Sequence, residues 1–348
     1  MAKLIDCELK PYEYEYPEGT EEIKTKHHFN DTFLNRVSFP KTLKSIGKDA
    51  FRGCTLLSEI NLPYGLEYIG QGAFAGCKSL KYVDIPPSVK CISLYAFAEC
   101  ENLKSVDFSE GIISICDCAF KGCTSLHSVV IPGSVVDIGL DAFDSINYVK
   151  LNEGIKEIHC CAFSNSNIKH LKIPASTNIK LPWYEYDSTV FDIKSLRTFE
   201  VDDNNACFSS KDGILYNKNK SVVVRMPIQS PINNLVLPQT IKTISREAFK
   251  GCKNLRTIRL PKGLSKLENF AFCDCTSLTE IHIEVEKVES ICFYCRDVDD
   301  NGIQIYIDES YFSKETTDVC TLFVPPGTRW AYRHHPVFGQ FKNIEIEF

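Results

Sequence analysis

Hydrophobic residues recur along this chain in one order that repeats every 23 residues, with a single step of 20 residues between Ala142 and Ala162. The most regular feature is an Ala-Phe dipeptide, which begins at Ala50, Ala73, Ala96, Ala119, Ala142, Ala162, Ala248 and Ala271. One full unit reads L-x-x-I-x-L-P-x-x-L-x-x-I-G-x-x-A-F-x-x-C-x-x. Because such a unit is too small to bury its own hydrophobic face, a fixed period of this length predicts a solenoid of stacked units.

Each unit predicts two short extended segments and one turn. Ile60, Asn61 and Leu62 alternate as a strand does, with Asn61 facing outward, and the proline that follows ends the strand. Residues 66–70 form the second extended segment. The Ala-Phe-x-x-Cys segment predicts a single helical or 3₁₀ turn, in which alanine allows close approach between units and phenylalanine fills the interior.

Residues at equivalent positions of successive units form a column. These columns resemble the repeats of the BspA-like leucine-rich-repeat family, and the resemblance covers about residues 34–348. It implies an α/β repeat fold, namely a right-handed, horseshoe-shaped leucine-rich-repeat solenoid of short, mostly parallel strands joined by single helical or 3₁₀ turns. It also implies a bacterial or protist surface or secreted protein that binds host proteins or other cells. Such repeats imply no enzyme activity and no cofactor, and we expect neither.

The same pattern divides the chain into five segments. They are an N-terminal cap (1–33), a first block of leucine-rich repeats (34–195), an irregular repeat with a β-hairpin insertion (196–231), a second block of repeats (232–320) and a C-terminal cap (321–348). Residues 1–33 match no repeat, and residues 12–16 alternate like an edge strand that covers the first unit. Residues 199–220 look like the hairpin insertion of the family, and residues 322–332 look like its C-terminal cap.

Composition and charge narrow the possible functions. The chain has 348 residues, of which 44% are hydrophobic and 24% charged, so it can bury a large core. The net charge of −6 argues against a nucleic-acid partner, and no apolar run approaches the length of a membrane-spanning helix. Four charged residues among the first ten predict no signal peptide. We therefore expect a monomer without membrane insertion, cytoplasmic as the chain is written, or at the cell surface or secreted if a leader was removed.

The chain contains seventeen cysteines, and six of them share one column of the repeat: Cys54, Cys77, Cys100, Cys123, Cys252 and Cys275. Stacked units lie about 4.8 Å apart, whereas the Cβ atoms of a disulfide lie about 3.8 Å apart. The six column cysteines are therefore predicted to be buried thiols that act as small hydrophobic side chains. Cys292 and Cys295 have the spacing of half a zinc site, but no second pair follows, so we expect no zinc there.

Four residues with oxygen side chains match most of a calcium-binding loop: Asp297, Asp299, Asn301 and Asp308. Aspartate replaces the usual glutamate at the twelfth position of that loop. The alternative is an Asp-Asn-Gly turn between strands, which the alternation of residues 303–308 favours. We expect no metal and keep calcium as the alternative.

The outward side chains of the predicted strands are the best candidates for function. A solenoid of this kind presents an extended concave strand face to macromolecules. The candidate ligand-binding residues on that face are Glu59, Asn61, Tyr82, Asp84 and Asp107. Tyr82 supplies an aromatic anchor, and the carboxylates favour a basic partner. The predicted function is non-enzymatic protein binding or adhesion, with a protein or another macromolecule of unknown identity as the partner.

Two alternatives stay open. An intracellular scaffold or effector-type repeat protein would account for the many cysteines and the missing leader. An enzyme would need a site in the irregular region, where no nucleophile–base pairing or metal spacing is evident. The carboxylates of that region are Asp187, Asp192, Glu200, Asp202 and Asp203. The histidine pairs at 27–28 and 334–335 are predicted to be solvated.

Overall fold

The computed structural model of the chain describes residues 10–180, 191–293 and 311–347. In chain order, its strands are β1 (Tyr12–Glu15), β2 (Glu22–Ile23), β3 (Leu34–Ser38), β4 (Ser45–Ile46), β5 (Glu59–Ile60), β6 (Tyr68–Ile69), β7 (Tyr82–Ile85), β8 (Cys91–Ile92), β9 (Ser105–Phe108), β10 (Ser114–Ile115), β11 (Ser128–Ile131), β12 (Asp137–Ile138), β13 (Tyr148–Leu151), β14 (Glu157–His159), β15 (His170–Ile173), β16 (Asn178–Lys180), β17 (Thr198–Val201), β18 (Phe208–Lys211), β19 (Ile214–Asn217), β20 (Val222–Arg225), β21 (Asn234–Val236), β22 (Thr243–Ile244), β23 (Thr257–Leu260), β24 (Lys266–Leu267), β25 (Glu280–Ile283), β26 (Cys292–Phe293), β27 (Thr321–Val324) and β28 (Asn343–Ile346). The α-helices of the described residues are α1 (Lys314–Val319) and α2 (Arg329–His334), and the 3₁₀ helices are Val288–Ser290 and Phe338–Gln340.

Parallel pairing between successive repeats makes the fold a β-solenoid, as the sequence predicts. The chain forms two compact units, Met1–Ile168 with Ser176–Asp192, and Lys169–Ala175 with Ile193–Phe348. In the first unit, the short strands form one sheet in the order β16-β14-β12-β10-β8-β6-β4-β2, and the longer strands pair as β1-β3-β5, β7-β9 and β11-β13. Each repeat, called a coil below, thus contributes strands to two parallel ladders.

The second unit contains the same parallel ladders and an antiparallel segment. Its parallel strands pair as β15-β17 and as β21-β23-β25-β27-β28. A further sheet runs in the order β18-β19-β20-β22-β24-β26, and within it β18 is antiparallel to β19, as is β19 to β20. The hairpin of β18 and β19 lies where the sequence resembles the insertion of the family. No helix in the described parts of the chain is long and apolar enough to cross a lipid bilayer.

The phenylalanines of the repeat form a continuous stack in the core of the first unit. The centroids of the Phe51, Phe74, Phe97, Phe120 and Phe143 rings lie 5.2–5.5 Å from their neighbours, with interplanar angles of 3–7°. All five side chains are buried. Each ring therefore contacts the rings of the coils before and after it, and this confirms the interior position predicted for the column.

The Ala-Phe segment of each coil is a succession of tight turns. The Cys54 N–H donates to the Phe51 carbonyl oxygen at 3.2 Å, which is the i to i+3 spacing of the predicted 3₁₀ turn. Left-handed residues at Asp49 (φ 52°) and Gly53 (φ 76°) interrupt this pattern before a helix forms. Glycine precedes Cys54 because residues with a Cβ atom rarely adopt such a φ.

The repeat begins earlier than the sequence pattern indicated, because residues 12–33 form a coil of their own. Strands β1 and β2 pair in parallel with β3 and β4, and His28 lies on the Phe51 ring at 5.4 Å with an interplanar angle of 15°. The prediction that His28 is solvated was wrong, since its side chain is buried and its Nδ1 lies 3.2 Å from an Asp31 carboxylate oxygen. His28 and Asp31 occupy the columns of phenylalanine and cysteine, and these substitutions hid the coil from the pattern.

The six column cysteines are buried thiols, as predicted. Their role is more specific than filling space, because each sulfur also points to the backbone of the preceding coil. The Cys77 thiol donates to the Phe51 carbonyl oxygen at 3.2 Å, and Cys100 donates to Phe74 at the same distance. Burial raises the pKa of the Cys54 thiol to about 12 and that of Cys77 well above its usual value. These thiols therefore remain protonated near neutral pH.

We expect the column cysteines to resist alkylation in the folded protein. Reaction requires an accessible thiolate, and burial removes both access and ionisation at Cys54, Cys77, Cys100 and Cys123. Iodoacetamide labelling followed by peptide mass analysis should show these four modified only after unfolding, whereas the exposed Cys207 should react in the native state. Native labelling of the four at the rate of Cys207, or bridges among them, would contradict this prediction.

Candidate functional site

The outward side chains of β3, β5, β7, β9, β11 and β13 form the strand face of the first unit. Alternation along each strand creates this surface, because Tyr82 and Asp84 of β7 are exposed whereas Val83 and Ile85 between and beside them are buried. The same burial pattern holds in β9 and β11. Four of the five candidate residues lie on these strands, and the exposed Asn61 directly follows β5. The outward orientation predicted for the candidates is therefore correct.

The strand pairing sets which candidates are neighbours. Across β7 and β9, Tyr82 pairs with Ser105 and Asp84 pairs with Asp107. Across β11 and β13, the pairs are Ser128 with Tyr148 and Val130 with Lys150. Tyr82 and Tyr148 are 57% and 56% exposed, so more than half of each aromatic side chain is accessible to solvent. The strand face thus carries two aromatic side chains, a pair of carboxylates and a lysine.

The charges of the strand face differ in whether they already have a partner. Arg36 donates to the Glu59 carboxylate at 2.6 Å, and both side chains are about half exposed. Within residues 10–180, by contrast, neither Asp84 nor Asp107 forms an ion pair with a basic side chain. Of the predicted carboxylates, Glu59 is therefore neutralised within the chain, and Asp84 and Asp107 are not.

Two like charges directly opposite each other on neighbouring strands destabilise the pairing. The strands are about 4.8 Å apart, so Asp84 and Asp107 repel each other wherever salt does not screen them. A guanidinium or ammonium group placed between these carboxylates would remove the repulsion and gain two charge-assisted contacts. The arrangement suits recognition of a basic group.

Sequence reasoning missed the pairing of Arg36 with Glu59, although their separation of 23 residues places them on successive coils. It also did not single out Tyr148, which occupies the same column as Tyr82 but lies after the coil with the shortened repeat. Counting columns alone places these residues on one face. Whether two opposite charges on that face form an ion pair depends on side-chain conformations, which the repeat pattern does not specify.

The remaining sequence candidates do not form a site among the described residues. Glu200 accepts from Lys172 at 2.7 Å, and the Asp202 carboxylate accepts from the Asn204 backbone N–H at 2.9 Å. Glu200 thus lies in an exposed ion pair and Asp202 in a turn, and the group of possible metal ligands found among the described residues includes neither. Asp187, Cys295 and the calcium candidates Asp297, Asp299, Asn301 and Asp308 lie outside the described residues.

One group of metal-ligating side chains stands out within the described residues, formed by His159, Cys160 and Cys161. Their donor atoms all lie within 4.8 Å of one another. The His159 Nδ1 already accepts from the Cys161 N–H at 3.2 Å, and Cys160 is fully buried. A hydrogen bond from Cys160 lowers the pKa of Cys161 to about 5. Soft divalent metals would match this donor set, but the His159 Nδ1 already accepts from the Cys161 backbone N–H.

A groove of about 400 Å³ lies over the turns of the first unit. Gly53 and Gly76 contribute to its floor, and Arg52, Lys78 and Tyr95 line it. Arg52 is paired with Asp49 at 3.3 Å, and Lys78 is paired with Glu101 at 2.7 Å. Since both of these basic groups have acidic partners, the groove has weaker features for recognition than the strand face has.

Comparison with known families agrees with this architecture. The family described as "BspA type Leucine rich repeat region" matches in six copies, over residues 21–148, 114–216 and 228–327. The chain belongs to the BspA-type leucine-rich-repeat family. The match begins at residue 21, inside the coil that precedes the first regular repeat. No curated protein matches the sequence.

Three solved structures of bacterial proteins share the fold. A leucine-rich-repeat protein from Bacteroides ovatus is 20% identical, with a TM-score of 0.63, over 97% of this chain and 84% of that one. A leucine rich cell surface protein from Faecalibacterium prausnitzii is 20% identical, with a TM-score of 0.56, over 97% and 88%. The pneumococcal vaccine antigen PcpA is 17% identical, with a TM-score of 0.50, over 99% and 91%. At such identities the likeness shows the solenoid fold alone.

Proposed function

We propose that this BspA-type protein is a non-enzymatic binding protein that recognises a basic macromolecule on its strand face. The observation that carries the proposal is the pair Asp84 and Asp107, which lie in register on β7 and β9 without a basic partner in the described first unit. Elsewhere on this face, the opposite charges of Arg36 and Glu59 neutralise each other. A basic partner would supply Asp84 and Asp107 with the positive charge that Arg36 supplies to Glu59.

The neighbouring side chains support a macromolecular partner over a small cation. Tyr82 lies on the same strand as Asp84, two residues before it, and tyrosines are enriched where proteins bind one another. Its partner across the ladder is Ser105, a small residue that leaves room beside the ring. A lysine or arginine of the partner would thus lie between the two carboxylates while apolar surface packs on Tyr82.

A surface location is favoured by the neighbours. The Faecalibacterium protein is described as a cell surface protein and PcpA as a vaccine antigen, and both share the solenoid fold. An intracellular scaffold is the second candidate, favoured by the six buried column cysteines, whose side chains are reduced thiols. Disulfides are the usual state of cysteines in oxidising compartments.

Binding tests should use the full chain and a triple variant, Tyr82→Ala with Asp84→Ala and Asp107→Ala. A partner isolated from cell or host extracts on the wild-type chain should lose at least about tenfold in affinity for the variant, because central aromatic and charged contacts dominate such interfaces. Its affinity for the wild type should fall as salt rises, since the carboxylates are exposed. Titration calorimetry at low and high salt measures both effects.

The matched control removes one tyrosine and two carboxylates elsewhere on the first unit: Tyr64→Ala with Glu18→Ala and Glu110→Ala, all exposed. It changes the net charge equally and should leave the affinity unchanged. The double variant Asp84→Asn with Asp107→Asn keeps the side-chain shape and should remove most of the salt dependence. A triple variant that folds and binds with wild-type affinity at low salt would place the contact elsewhere, first on the hairpin loop at 217–220.

A further inference from the structure

Two cysteines outside the buried column face each other across neighbouring coils. Cys91 begins β8, and Cys116 directly follows β10. Their sulfur atoms lie 3.3 Å apart, and both side chains are half-buried. The column cysteines, by contrast, are completely enclosed and have their sulfurs directed at carbonyl oxygens. Cys91 and Cys116 are thus a thiol pair that small solutes can reach.

The register of the short-strand ladder creates this pair. Cys91 lies opposite Ser114, and Cys116 is two residues further along, so its side chain projects from the same face of the strand. Other coils have Gly47 and Gly70 in the column of Cys116. The position of Cys91 is held by Tyr68 and Ser114 in the neighbouring coils, and neither is a cysteine. The two sulfurs therefore meet because two adjacent coils depart from the repeat, each at a different position.

The surroundings make the two thiols chemically unequal. A hydrogen bond from Cys91 lowers the pKa of Cys116 to about 7, against the opposing effects of burial and of the Asp137 and Asp117 carboxylates. The same hydrogen bond, together with burial, raises the pKa of Cys91. The nearby Asp137 carboxylate accepts from the Ser114 hydroxyl at 2.8 Å. Cys116 is thereby the attacking nucleophile of the pair, and Cys91 is the resolving thiol, which reacts in the second step.

We propose that Cys91 and Cys116 form a redox-active dithiol, which small-molecule disulfides oxidise to an intramolecular disulfide between neighbouring coils. An accessible thiolate with a second thiol beside it is the arrangement that redox-sensitive cysteines share. The sulfurs must approach from 3.3 Å to the bond length of about 2.05 Å. Because Cys116 lies diagonally from Cys91 across the ladder, the approach needs rotation of both side chains and a local shift of the backbone after β10.

The exchange proceeds in two balanced steps. The Cys116 thiolate attacks one sulfur of the small disulfide, so that a mixed disulfide forms and one small thiolate leaves. Cys91 then loses its proton to solvent and attacks the Cys116 sulfur, which forms the bond between Cys91 and Cys116 and releases the second small thiolate. The two protein sulfurs together lose two electrons, and the small disulfide gains them as two thiols.

The test is oxidation of the folded full-length chain with oxidised glutathione, followed by acid quenching, alkylation and peptide mapping. The wild type should yield a linked peptide pair that contains Cys91 and Cys116 and is two hydrogens lighter than the two reduced peptides together, whereas the exposed Cys207 and Cys292 form mixed disulfides with glutathione. Cys116 should react at least about tenfold faster than the enclosed Cys77 and Cys100 do, because only thiolates attack. Dithiothreitol should reverse the linkage.

Two single variants separate the roles of the thiols. In Cys91→Ser the reaction should stop at the mixed disulfide, so the Cys116 peptide gains the mass of one glutathionyl group. In Cys116→Ser the remaining Cys91 should react more slowly than Cys116 does in the wild type. Circular dichroism checks that both variants keep the fold. Persistent glutathionylation of Cys116 in the wild type, a bridge that maps to Cys160 and Cys161 instead, or a native chain that does not react at either position would overturn the proposal.

Discussion

Replacing Phe97 with alanine is expected to lower the free energy of unfolding by about 3–5 kcal/mol. The Phe97 ring is fully buried and stacks on Phe74 at 5.4 Å and on Phe120 at 5.5 Å. Its removal leaves a cavity between two rings that the backbones of the adjacent coils hold in place, so the cavity cannot close. Denaturant unfolding followed by circular dichroism measures the loss.

The matched control is Tyr64→Ala, because this aromatic side chain of the same unit is 79% exposed. Its removal should change the free energy of unfolding by no more than about 0.5 kcal/mol. Phe74→Ala should behave as Phe97→Ala does, since both rings occupy the same position in successive coils. A loss below about 1 kcal/mol for both phenylalanines would contradict the column assignment.

Gly154→Ala is expected to destabilise the first unit by about 2–5 kcal/mol, through backbone strain and a direct clash. Gly154 has a φ of +115°, well outside the left-handed region near +57° that other residues occasionally adopt. A Cβ atom at this position would lie far inside van der Waals contact with the Gly133 carbonyl oxygen of the preceding coil. The backbone of one coil or the other must move to admit it, and thermal and denaturant unfolding would measure the cost.

Substitutions at two other glycines separate the cost of backbone strain from the cost of the steric clash. Gly19 has a φ of +89° but nothing within 4 Å of its Cβ direction, so Gly19→Ala should show strain alone, about 1 kcal/mol. Gly65 has no such φ, and the nearest atom is the mobile Lys44 Nζ at 3.3 Å, so Gly65→Ala should change stability by about 0.5 kcal/mol or less. Equal effects at the three positions would show that coil contact at Gly154 is unimportant.

The repeat period was enough to predict the core and the direction of most side chains. Phe97 and Cys100 are buried where their columns place them, and Asp84 and Asp107 face outward in register. These features depend only on which residues share a column and on strand alternation. These features repeat in every coil, so aligning one coil correctly with the repeat predicts them in all the regular coils.

The features that the period did not reveal depend on departures from the consensus. His28 continues the phenylalanine stack although it is not phenylalanine. The contact of Cys91 with Cys116 spans 25 residues, and it joins two different columns whose relative positions only the backbone geometry specifies. Arg36 and Glu59 share a column, but their ion pair depends on the conformations of long side chains.

The repeated stacking of Phe74, Phe97 and Phe120 also sets how the gene can change in length. Deleting the codons for residues 75–97 joins Phe74 to the Ala-Glu-Cys segment that ends at Cys100, so the Ala-Phe-x-x-Cys motif is restored at the junction. Phe74 then takes the place of Phe97 and meets Phe120. A deletion one codon shorter would leave an extra residue in the Ala-Phe-x-x-Cys turn, which must bulge if the later strands are to keep their register. Unequal recombination between coils can therefore lengthen or shorten this protein in steps of 23 residues, whereas smaller changes are confined to the turns.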